Sequence, residues 1–166
     1  MPGAGPREFE QIRAYHEDVR QGLRASPARR EALFPGVRET LRALEAESYV
    51  LGIVTSRSGG RLSELLQAHE IGHHFAVIKT ADMGPGKPNP YLLLEAMADV
   101  GADASATEMI GDTTFDIEMA VGAGTGAVGV SWGVHEVSAL QAAGAHRIVT
   151  SFDEVQASVN AITDRN

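Results

Sequence analysis

Short apolar runs alternate along this chain with amphipathic stretches, and the runs stop abruptly on hydroxyl or carboxylate residues. No other feature restricts the fold as strongly. Tyr49-Val50-Leu51-Gly52-Ile53-Val54 is almost wholly apolar and ends at Thr55-Ser56-Arg57-Ser58, as expected of a strand buried on both faces of a parallel sheet. The periodicity then predicts a helix over 60–69, a short strand over 75–79, a helix over 90–100 and a strand over 107–110. A helix over 114–123, a strand over 126–130, a helix over 137–143, a strand over 147–149 and a last helix over 152–162 continue the series. Ahead of the first strand, 37–47 carries Val37, Leu41 and Leu44 on one helical face, after the break at Phe34-Pro35-Gly36. Such alternation predicts an α/β fold: an open parallel sheet flanked by helices, with ligands at the carboxyl ends of the strands.

The chain has 166 residues, which suits one domain with a real core. Fourteen basic residues against 22 acidic ones give a formal net charge of -8, and no basic stripe appears, so a nucleic-acid partner is not expected. The absence of cysteine excludes disulfides, thiolate metal sites and cysteine nucleophiles, and fits a reducing compartment. No long apolar span, signal peptide or lipidation motif is visible, so no membrane partner is expected and the location expected is cytoplasmic. After a loose Pro-Gly-Ala-Gly-Pro start, 7–24 reads as a polar helix whose thin apolar stripe of Phe9, Ile12, Tyr15, Val19 and Leu23 needs a neighbour.

Three polar clusters fall where this architecture puts a site. Thr55 and Ser56 end the first strand, Lys87 sits in the loop Gly84-Pro85-Gly86-Lys87-Pro88-Asn89-Pro90, and Met109-Ile110-Gly111-Asp112-Thr113-Thr114-Phe115-Asp116 places two carboxylates just beyond a later strand. Hydroxyls and backbone N–H groups hold phosphoryl oxygens, an ammonium neutralises them, and a cation held by carboxylates bridges to them. Mg²⁺ suits such a sparse carboxylate pair, completed by water and substrate phosphate. Each cluster also has a plainer reading. Thr55 and Ser56 suit a helix cap, Lys87 a solvated loop, and Asp116 a favourable charge in the first turn of a helix capped by Thr113 or Thr114.

In order and spacing these clusters resemble the motifs of the haloacid dehalogenase superfamily, and especially its phosphoglycolate phosphatase-like branch. Val54-Thr55-Ser56 resembles the second motif of that family, Gly86-Lys87-Pro88-Asn89-Pro90 the third and Gly111-Asp112-Thr113-Thr114-Phe115-Asp116 the fourth. Phe34-Pro35-Gly36-Val37 and Val128-Gly129-Val130-Ser131-Trp132-Gly133 resemble flanking signatures. The resemblance implies a Rossmann-like three-layer core over 34–166 and a remnant of a helical cap and linker over 1–33. It implies a Mg²⁺-dependent phosphomonoester hydrolase acting on a small phosphorylated metabolite such as 2-phosphoglycolate. Thr55, with Ser56, would bind the phosphoryl group, Lys87 would balance its charge, and Asp112 would ligate Mg²⁺ with Asp116 as ligand or close partner. Catalytic roles would thus fall to Thr55, Lys87 and Asp112.

One departure limits that carry-over. The family's nucleophile lies on its first strand in the pattern Asp-x-Asp-x-Thr, which does not occur here. Neither Asp18, within the polar helix, nor Asp153 follows an apolar strand, so neither replaces it. The chain is therefore expected to be an N-terminally truncated core, inactive alone, or else a non-catalytic phosphate- and Mg²⁺-binding module. The missing strand would lie between the strands ending at Thr55 and Asp112, leaving a gap of roughly 10 Å at the usual spacing. Each buried unpaired ladder group costs about 1–3 kcal/mol, against a domain stability of about 5–15 kcal/mol. Hence the slot is expected to be filled from upstream residues, a second copy or another chain, or to close by direct pairing.

Other signals are weaker. Gly124-Thr125-Gly126-Ala127-Val128-Gly129 has the spacing of a dinucleotide loop, but the expected helix precedes it and the strand follows, the reverse of the order pyrophosphate binding needs. His69, His73 and His74 lack a clear further zinc ligand. His135, in a loop beyond a strand's carboxyl end, reads either as a surface residue or as one that orients substrate.

Overall fold

The computed structural model describes residues 32–163; the expected polar helix over 7–24, and with it the cap remnant, lies outside the described residues. In chain order the elements are α1 (Val37–Ala46), β1 (Gly52–Val54), α2 (Gly59–Ala68), β2 (Val77–Lys79), α3 (Tyr91–Val100), β3 (Glu108–Gly111), α4 (Thr114–Ala123), β4 (Gly126–Val130), α5 (Val137–Ala142), β5 (Arg147–Val149) and α6 (Phe152–Thr163). Every strand pairing is parallel, in two sheets of order β1-β2 and β3-β4-β5.

The period-two pattern of the strands sorts the core onto two faces. Met109 of β3, Ala127 of β4 and Ile148 of β5 pack with Leu93 of α3, Ile117 and Met119 of α4 and Leu140 of α5. Their chain neighbours Ile110, Val128 and Val149 pack on the opposite side with Val155 of α6. Helices thus cover both faces, giving the three layers expected.

The first face is continuous across the two sheets, because Val54 of β1 joins the cluster of Met109 and Ile117, and α3 packs against β1, β2 and α4. On the other face Ile53 and Ile78 form a separate cluster with Leu41 of α1 and Leu62 and Leu66 of α2. Among the described residues β1 and β3 each have an edge with no paired strand, and the two do not pair with each other. Direct closure, one of the expected ways to fill the slot, is not what the chain does.

The first strand is shorter than expected. Of the expected run 49–54, only Gly52–Val54 is strand, Val50 is 63% exposed, and Gly52 is exposed as well. A strand with one paired edge lacks the ladder that would hold its start. Elsewhere the expected helix over 114–123 and strands over 126–130 and 147–149 form with the bounds expected. Short 3-10 turns at Gly72–His74, Ala81–Met83 and Ala104–Ala106 were not legible in the periodicity.

Candidate active site

The turn after β3 is organised by a reciprocal cap. Thr113, in an extended conformation, accepts from the Asp116 N–H through its hydroxyl at 3.3 Å, while Asp116 Oδ2 accepts from the Thr113 N–H at 3.0 Å. The Thr113 hydroxyl also donates to Asp116 Oδ2 at 2.7 Å. Two orphan donors at the start of α4 are satisfied in this way, and the carboxylate is turned back over the strand end. Gly111 makes that fold-back possible, since a Cβ there would overlap the Asp116 side chain.

Lys87 meets the remaining oxygen. Its loop closes through Asn89 N–H to Gly86 C=O at 3.1 Å and is anchored to α3 by Tyr91 N–H donating to Asn89 Oδ1 at 2.9 Å. The Lys87–Pro88 peptide is cis. From there Lys87 Nζ donates to Asp116 Oδ1 at 2.5 Å, with side-chain exposures of 13% for the lysine and 6% for the acid. Both oxygens of Asp116 are therefore engaged by protein donors, and an ammonium stands next to one of them. Asp116 is shaped to hold a lysine.

Asp112 is held differently, by the loop after β4. Val134 N–H donates to Asp112 Oδ2 and His135 N–H donates to the Asp112 carbonyl, each at 3.0 Å. The loop comes this close because residue 133 is glycine, where an added Cβ would overlap the Asp112 side chain. Behind the loop, Trp132 packs on Phe152 at 5.0 Å between ring centroids, and Phe34 lies 6.4 Å from each. Two segments read as flanking signatures thus meet in one aromatic cluster that braces the Asp112 loop. Among the described residues no donor takes Asp112 Oδ1, and the side chain is half-buried.

Thr55 and Ser56 follow β1 at the carboxyl rim that also carries Asp112. The Thr55 N–H donates to Lys79 C=O at 3.0 Å, Ala81 N–H to Arg57 C=O at 3.1 Å, and Gly59 N–H to Asp82 Oδ2 at 2.7 Å. The loop is thereby tied to the end of β2. Its Thr55 hydroxyl accepts from Arg57 N–H at 3.2 Å and retains its own proton for donation. No hydrogen bond among the described residues links Thr55 or Ser56 to Lys87, Asp112 or Asp116.

Of the residues singled out in the sequence, the fold joins Lys87 directly to Asp116, sets Asp112 on the same turn and leaves Thr55 and Ser56 on the other sheet, at the end of β1. Sequence reasoning met Gly133 only as the end of a flanking signature, and did not find Val134 or Asp82. The first two act through missing volume and a backbone N–H, which leave no side-chain signature, and Asp82 acts across a contact between elements. His74 turns instead to Glu45 of α1, at 3.0 Å. No group of three metal-ligating side chains occurs among the described residues. No helix among them is long and apolar enough to cross a membrane.

The family model for haloacid dehalogenase-like hydrolases matches residues 4–130. The chain belongs to that family. It is 37% identical over 163 residues to the protein named "Probable phosphatase IndB" of Dickeya dadantii (strain 3937), covering 98% of this chain and 70% of that one. It is 34% identical over 109 residues to the phosphoglycolate phosphatase of Escherichia coli (strain K12), covering 65% of this chain and 43% of the relative. A solved hydrolase from Pseudomonas syringae superposes with a TM-score of 0.70 at 28% identity, over 78% of this chain and 60% of that chain. This haloacid dehalogenase-like chain thus spans only part of the length of these relatives, two of which are named as phosphatases and the third as a hydrolase.

Proposed function

We propose that this chain is the phosphate-binding core of a Mg²⁺-dependent phosphomonoester hydrolase acting on a small phosphorylated metabolite, of the phosphoglycolate type. The observation that carries the reading is the buried Lys87–Asp116 pair at the turn that also holds Asp112, whose Oδ1 takes no donor among the described residues. One of the ammonium's three N–H donors is spent on Asp116, so two remain for phosphoryl oxygens. Thr55, with its hydroxyl proton free and the backbone of Ser56 beside it, grips the same anion from the β1 side. Asp112 Oδ1 is the ligand position for the cation, which when bound offsets phosphoryl charge and polarises the ester. Asp116 serves by orienting Lys87 rather than by binding metal, because a cation at its oxygens would lie against the ammonium.

No Asp-x-Asp-x-Thr nucleophile occurs in residues 1–166, so turnover needs a carboxylate from outside them. The edges of β1 and β3 that are unpaired among the described residues are where an additional strand would pair, from upstream residues, a second copy or another chain. The test is isothermal titration of the chain with Mg²⁺ and inorganic phosphate. Both are expected to bind; Asp112→Asn removes Mg²⁺ binding, and Lys87→Gln, which keeps a donor for Asp116 but loses the charge, weakens phosphate. Unaltered binding in both variants overturns the assignment. A second reading, a binding module without catalysis, is supported by the missing motif, and the DNA preceding the Met1 codon separates the two: an in-frame Asp-x-Asp-x-Thr there favours the hydrolase.

A further inference from the structure

His135 is held at three points on the turn that carries Asp112. Its Nδ1 accepts from the N–H of Thr114, the first residue of α4, at 3.0 Å. Its own N–H donates to the Asp112 carbonyl at 3.0 Å, and its ring lies 5.9 Å from the Phe115 ring at an interplanar angle of 59°. A backbone N–H can only donate, so Nδ1 carries no proton and the neutral ring keeps its proton on Nε2. Among the described residues nothing accepts from that Nε2–H. The imidazole is half-buried, whereas Phe115 is 49% exposed. The outcome is a donor of set tautomer, next to an open aromatic face, on the loop that also holds Asp112.

We propose that His135 and Phe115 select the organic part of the phosphate ester: the His135 Nε2–H donates to an oxygen acceptor of that group, and the Phe115 ring lies against its carbon skeleton. This rests on the phosphate-binding reading above. A carboxylate acceptor gains most, because a hydrogen bond to an ionised group is shorter and stronger than one between neutral partners. The class selected is therefore a small phosphorylated acid rather than a simple alkyl phosphate. His135 has a structural duty as well, since its Nδ1 satisfies an orphan donor of α4. The two duties sit on different ring nitrogens and are separable by substitution.

The full chain is titrated calorimetrically, in Mg²⁺, with inorganic phosphate and with 2-phosphoglycolate. His135→Asn keeps an acceptor at the Nδ1 position and removes the distal donor; His135→Gln keeps a distal donor and removes the helix contact. His135→Asn is expected to lower 2-phosphoglycolate affinity about tenfold, the worth of one hydrogen bond to a charged group, with phosphate affinity unchanged. His135→Gln is expected to retain the preference for 2-phosphoglycolate and to lose thermal stability instead. If the preference survives in His135→Asn, or falls equally in both variants, the selection role is overturned while the phosphate site stands. Failure of the unsubstituted chain to bind inorganic phosphate overturns both.

Discussion

At the scale of residues, the Lys87–Asp116 pair couples the site to stability. With the acid 6% exposed, removing the ammonium leaves a carboxylate that cannot return to water, though Thr113 still donates to it. Breaking a buried ion pair from one side costs about 3–5 kcal/mol. Lys87→Met is therefore expected to lower stability by about that range in urea titration. Adding Asp116→Asn is expected to restore part of the loss, because the amide oxygen still caps α4 and no charge remains buried. Additive losses in the double variant would show that the two side chains are not coupled. Both residues stood out in the sequence, but their partnership did not, since 29 positions separate them and nothing in a pattern of loops and helices says which loop lysine meets which helix acid.

At the scale of elements, α4 carries the site because its first turn is closed from within. A helix start capped by Thr113 or Thr114 was legible in the sequence, and the structure selects Thr113, joined to Asp116 by reciprocal bonds. Thr113→Ala removes the cap and one of the donors to Asp116, and is expected to cost about 1–2 kcal/mol in thermal or urea unfolding. Thr113→Ser keeps the hydroxyl and is expected to stay close to the parent. Equal losses in the two would assign the effect to the methyl group and not to the cap. The neighbouring loop 131–136 was less legible. Its hold on Asp112 depends on Gly133 having no side chain and on Phe34, Trp132 and Phe152 meeting from three distant stretches of chain.

At the scale of the whole molecule, two sheets share one continuous apolar face and are separate on the other. Among the described residues β4 is paired along both edges and fully buried over Ala127–Val128, whereas β1 is paired along one edge and its Gly52 is exposed. A two-stranded sheet is marginal without help from packing. Native-state hydrogen exchange is expected to find the slowest amides in β4 and markedly faster exchange in β1 and β2, which open as a unit with α2. Uniform protection across all five strands would show that the free edges are not the weak point. A strand bound between β1 and β3 is expected to slow exchange in β1 and β3 together.

Periodicity alone marked the strand-helix series, the parallel sheet and the rim on which Thr55, Lys87, Asp112 and Asp116 fall, because these follow from local spacing and from where apolar runs stop. Pairing across distance lay beyond it. Which carboxylate receives the lysine, which one keeps an oxygen open, why the first strand shrinks to three residues and how the His135 ring is aimed all depend on contacts between segments remote in sequence. Those contacts are chosen by packing volume and by the need to satisfy each buried donor, quantities that exist only once the chain has folded.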